Sequence, residues 1–119
     1  SSDLLFLLQF ISVFPYEWFG TTTWIDFSNT PVATDHVGTR HHSFDISYAG
    51  SFSSPPEFVF ATIAGVHMTM NDFQFYLTVD KDLVTKDKAT VKVTAFDGCK
   101  IQMLLVSLIA IEKNKSKIA

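Results

Sequence analysis

The sequence predicts an all-β domain, a sandwich or barrel, and three observations carry the prediction. No window sustains a helical period, short β-branched and aromatic runs recur between turn residues, and several of those runs alternate apolar with polar side chains. A chain of 119 residues with 47% hydrophobic and 18% charged residues is one domain with a real core, and is not a disordered segment. Nine Lys and Arg against a net charge of -3 offer no basic surface for phosphates, which argues against a nucleic-acid partner and against an anionic membrane. A single cysteine, Cys99, forms no disulfide within the chain, so the core holds itself together.

Residues 1–21 begin with an apolar run interrupted by Gln9 and Ser12, too short for a helix crossing a bilayer of about 30 Å. Asp3 stands where a secretory leader would carry a positive charge. The run reads as a hydrophobic segment that packs on this domain or on a neighbour, and if exposed it would mark a protein contact. The sandwich is expected over residues 22–112, followed by a polar tail at 113–119.

The first strand is expected at residues 22–27, closed by the turn-like Ser28-Asn29-Thr30-Pro31 and a surface loop. Residues 40–48 alternate, with His42, Phe44, Ile46 and Tyr48 on one face and His41, Ser43, Asp45 and Ser47 on the other. Pro55-Pro56 lacks ladder donors, so it sets an extended approach and fixes where the next strand, 57–66, begins. That strand is apolar on both faces and suits a position covered on both sides, with Phe58 and Phe60 among the core aromatics. In 72–80, Phe73, Phe75, Leu77 and Val79 point inward and Gln74, Tyr76 and Thr78 outward. After a polar hairpin end, 88–96 turns Ala89, Val91, Val93 and Ala95 inward. Asp97-Gly98 reads as a tight, positive-φ hairpin turn into a last strand apolar on both faces, hence central or at an interface. Strands apolar on both faces point to burial between subunits.

Asp35, His36, His41 and His42 invite a metal reading, but His41 and His42 face opposite sides of a strand and cannot share one ion. No metal site and no cofactor is assigned. His67, at the end of an apolar strand, reads as a partly buried structural histidine. Cys99 has Lys100 beside it and no histidine nearby in sequence, and no phosphate loop, hydrolase serine motif or paired carboxylates stand out. The chain reads as a binding module and not an enzyme.

Phe52-Ser53-Ser54-Pro55-Pro56, Ile63 with the loop around Val66, Phe73 to Phe75, the Phe96-Asp97-Gly98 turn and the closing VSLIAIE at 106–112 follow one another in an order that resembles the H-type lectins, the snail-agglutinin family, over residues 39–112. The resemblance implies a six-stranded antiparallel β-sandwich that assembles as a trimer, sometimes as stacked trimers. It also implies galactose-type or N-acetylgalactosamine glycans bound between subunits near the loop ends. The family's ligand positions fall on Gln74 in place of an Arg, on Phe96-Asp97 in place of Trp-His, on Gln102 in place of a Tyr, and on Asp35 for the loop aspartate. Gln74 and Asp97 keep hydrogen-bonding groups and Phe96 an apolar face, so the expected function is multivalent carbohydrate binding with altered specificity. The alternative is a structural assembly subunit that keeps the trimeric scaffold with a degenerate sugar site and docks through its amino-terminal segment. An extracellular or cell-surface location would follow for a working lectin alone.

Overall fold

Alternation along the strands decides which faces meet, and two sheets result. The structure is a computed structural model that describes residues 16–34, 38–68 and 74–113. Its strands are β1 (Tyr16–Asp26), β2 (Arg40–Ser47), β3 (Phe58–Met68), β4 (Phe75–Val79), β5 (Lys88–Ala95) and β6 (Ile101–Lys113). They form two antiparallel three-stranded sheets, β1-β6-β3 and β2-β5-β4, so the domain is a six-stranded antiparallel β-sandwich. Among the described residues, helical geometry is confined to single 3-10 turns at Pro31–Ala33 and Lys81–Leu83.

The core lies between the sheets. Ile46 and Tyr48 of the β2 region and Ala89, Val91, Val93 and Ala95 of β5 meet Leu104, Val106, Leu108 and Ala110 of β6, all buried. Each Leu, Ile or Val so buried contributes about 1.5–3 kcal/mol relative to exposure. Tyr48 packs edge-on against Phe19 and Phe52 at 6.0 and 5.0 Å, and burial pushes its phenol up to about 12. The inward set of β4 is as expected for Phe75, Leu77 and Val79, while Phe73 lies outside the described residues.

The proline pair does set the start of a strand. Immediately after Pro56, the Glu57 amide donates to the Ile111 carbonyl at 2.8 Å, and the ladder runs on from there. The approach is held by the buried Glu112 carboxylate, whose Oε1 accepts from the Ser54 amide at 3.2 Å, the Ser54 hydroxyl at 2.5 Å and the Ser53 hydroxyl at 3.3 Å.

Several expectations are corrected. β1 starts at Tyr16, because Trp18, Gly20, Thr22 and Trp24 continue one face opposite Ile111, Ile109, Ser107 and Leu105. Phe58 and Phe60 point away from the core: they lie opposite the outward Ile111 and Ile109, and Val59 and Ala61 take the inward positions. Among the described residues β3 is an edge strand whose outer face is exposed, so any cover on that face comes from outside them. It runs through the region of Val66 with a bulge between Ile63 and Gly65, where the missing side chain matters: a Cβ on Gly65 would lie 3.3 Å from Leu105 Cβ. His67 is exposed, not half-buried, since the register keeps it opposite Met103 on the outer face. Residues 96–100 are not a two-residue hairpin, for they carry the chain from the centre of one sheet to the centre of the other, with Asp97 alone at positive φ (48°). The central position expected for the last strand is observed.

Candidate functional site

Three connections run between the sheets at the same end of the sandwich: β1 to β2, β3 to β4, and β5 to β6. Every position expected to bind ligand falls on or beside one of them. Asp35, in the first connection, lies outside the described residues, although Thr34 and Gly38 on either side of it are described.

Gln74 and Phe96 are brought side by side, because the Phe96 amide donates to the Gln74 carbonyl at 2.8 Å as the β4–β5 pairing extends past the strand ends. Continuing the alternation of their strands, both side chains project from the outer face of the β2-β5-β4 sheet. Phe96 stands against Tyr76, with ring centroids 5.8 Å apart and planes inclined at 34°. Asp97 is exposed at the tip of the turn, and the Cys99 amide closes that turn onto the Phe96 carbonyl at 3.1 Å. Gln102 sits on the other sheet, half-buried, its carbonyl accepting from the Phe27 amide at 2.7 Å. Its alternation with Leu104 and Val106 turns it between the sheets, away from the surface that Gln74 and Phe96 share.

The residue that ties this end together is Arg40, at the inward start of β2 and only 6% exposed. Its Nη2 donates to the carbonyls of Asp97 at 2.6 Å and Cys99 at 2.7 Å. From Nη1 the closest bond runs to the Thr34 carbonyl at 2.8 Å, with longer ones to Pro31 and Val32 at 3.4 and 3.5 Å, and Nε reaches the Gly38 carbonyl at 3.4 Å. A planar fork of donors thus fastens the β1–β2 loop to the β5–β6 turn. Nothing local in the sequence marks Arg40, because its partners lie up to 59 positions away.

The adjacent row on the outer face is His41, Thr94 and Tyr76, one from each strand of the sheet. His41 Nδ1 lies 3.0 Å from the Thr94 hydroxyl. Thr94 faces outward yet is only 1% exposed, so its neighbours close over it. His42 points the other way, edge-on to Phe27 at 5.8 Å, so the two histidines occupy opposite faces as expected. Among the described residues, no three His, Cys, Asp or Glu side chains converge on one point.

No family model matches this chain, and no curated protein matches it. Solved structures do. The recombinant discoidin II of Dictyostelium discoideum superposes with a TM-score of 0.67 at 13% identity, covering 83% of this chain and 38% of that one. The wild-type discoidin II structure gives 0.66 at 13% identity, over 83% and 37%. This chain therefore has the fold of part of discoidin II, and spans less than two-fifths of its length.

Proposed function

We propose that this domain is a non-enzymatic, lectin-like carbohydrate-binding module of the H-type kind, acting as a homo-oligomer with an altered sugar preference. One observation supports the reading: Gln74 and Phe96 lie side by side at the end of the sandwich where the sheet-crossing connections run, next to the exposed Asp97, whose main-chain carbonyl Arg40 holds. Such a surface offers an amide, a carboxylate and an aromatic face, which is what pyranose recognition needs. The resemblance of the sequence to H-type lectins and the fold shared with discoidin II support it. Galactose-type sugars and N-acetylgalactosamine are the first ligands to try.

A glycan array with the purified protein, run beside light scattering, tests the proposal. Binding by an oligomer supports it, and Gln74→Ala with Asp97→Ala should abolish that binding without altering assembly. An oligomer silent across the array would favour the assembly-subunit alternative, for which the open apolar face of β1-β6-β3 is the supporting observation.

A further inference from the structure

We propose that the sugar site extends from the β5–β6 turn onto the outer face of the β2-β5-β4 sheet, with Tyr76 as its stacking platform and His41 as a polar partner. The inference rests on the carbohydrate reading above and adds two residues to it.

Two outer faces distinguish themselves chemically. That of β1-β6-β3 exposes the apolar Trp18, Phe58, Phe60 and Ile109 beside a row of hydroxyls, Thr22, Ser107 and Thr62, whereas the row His41, Thr94, Tyr76 combines an exposed phenol ring, an imidazole and a hydroxyl. Tyr76 is 45% exposed, and its ring continues into that of Phe96. Beside them Gln74 projects from the same face, so an aromatic floor is flanked by an amide on one side and an imidazole on the other.

The spacing suits a hexopyranose. Two strand separations, about 10 Å, lie between His41 and Tyr76, enough for one ring and its hydroxyls. A pyranose laid with its C–H face on Tyr76 would direct hydroxyls toward Gln74 and toward His41. The His41–Thr94 contact fixes the imidazole, so its other nitrogen faces solvent in a set orientation. Neither Tyr76 nor His41 is needed for the core, since both project from the outer face.

The test titrates methyl galactoside and N-acetylgalactosamine into the wild type and into Gln74→Ala, Tyr76→Ala, Tyr76→Phe and His41→Ala by calorimetry. Aromatic NMR spectra of the wild type are followed during the same titrations. Tyr76→Ala should weaken binding at least tenfold, Tyr76→Phe less than threefold, and His41→Ala several-fold, and the Tyr76 ring signals should shift on titration. Gln74→Ala that abolishes binding while Tyr76→Ala and His41→Ala bind like wild type would overturn the extension and leave the lectin reading standing. Should Tyr76→Ala not fold, a Tyr76 signal unmoved by bound sugar in the wild type overturns it equally. A wild type that binds neither probe nor any array glycan overturns the lectin reading, and this inference with it.

Discussion

Arg40 is a buried cation satisfied entirely by main-chain carbonyls, and its energetics are asymmetric. Removing a guanidinium from water costs several kcal/mol, and hydrogen bonds from a charged donor, at about 1.5–3 kcal/mol each, offset it. Replacing the side chain with Met discards those bonds and leaves the carbonyls of Thr34, Asp97 and Cys99 without this donor. Arg40→Met should therefore lose stability in denaturant unfolding, at about 1–3 kcal/mol for each buried carbonyl left without a donor. Arg40→Lys should recover little of that, since one ammonium cannot span both loops as a planar fork does. Asp45 makes a weaker, pH-dependent contribution. The hydrogen bond from Lys88 at 2.9 Å, then that from Thr90 at 2.7 Å, lower its carboxyl below the ordinary value of 3.8. A lowered folded-state value means stability present above the unfolded value and lost as pH falls through the folded one. The stability difference between wild type and Asp45→Asn should accordingly be constant near neutrality and shrink below about pH 4. Neither residue's role was legible from its neighbours in sequence. Arg40 looked like the first residue of an alternating strand, and only the folding of two distant loops around it reveals the fork.

A strand is legible in the sequence where one face is polar and ambiguous where neither is. β2 and β5 declare their inward sets because a one-residue slip would bury Asp45 or Lys92. β3 carries no such polar marker, so the parity of Phe58 and Phe60 was decided by pairing with β6, a contact some fifty residues away that local pattern does not encode. Asp97-Gly98 marks a turn between the two expected strands, but those strands do not pair, because turn chemistry reports local backbone and not which sheet the chain enters next. The site followed the same division. Of the positions carried by the resemblance, Gln74 and Phe96 lie side by side and Gln102 turns between the sheets, while the row that sets Tyr76 beside His41 exists only once three strands lie side by side. The start of β3 offers a test of what fixes its register. Glu112 Oε1 takes two of its three hydrogen bonds from Ser54, so Ser54→Ala removes the shorter one from a buried carboxylate. A loss of about 1–2 kcal/mol is expected. Hydrogen exchange should quicken first at the Glu57 amide, and equal exchange in wild type and variant would show that the prolines alone hold the strand's start.

The sandwich has two outer faces with different chemistries, and the difference suggests a division of labour. On β1-β6-β3, Trp18 at 72% exposure, Phe60 at 56% and Ile109 lie in adjacent rows with Phe58 and Ile111, a contiguous apolar surface of the kind that marks interaction sites. On β2-β5-β4, the aromatic rings sit among polar groups. Copies joined through the first face would leave the second pointing outward, several times over, and clustered glycans would meet several sites at once. Phe60→Lys should sever that arrangement, since a charge set in the middle of the apolar rows must be desolvated whenever two copies meet. Light scattering is expected to give a multiple of 13.4 kDa for the wild type and the single-chain mass for the variant. Its circular dichroism should be unchanged, because Phe60 lies outside the core. Binding to a glycan-coated surface should then fall by about 10²–10⁴, the avidity that linking sites supplies. Free monosaccharide should still bind within about threefold of wild type, a difference under 1 kcal/mol, if Gln74, Tyr76, Phe96 and His41 of one chain suffice. A matching collapse of monosaccharide affinity would place part of the site on a neighbouring copy, as the resemblance to H-type lectins implies, and a wild type already at single-chain mass would refute the multivalent reading outright.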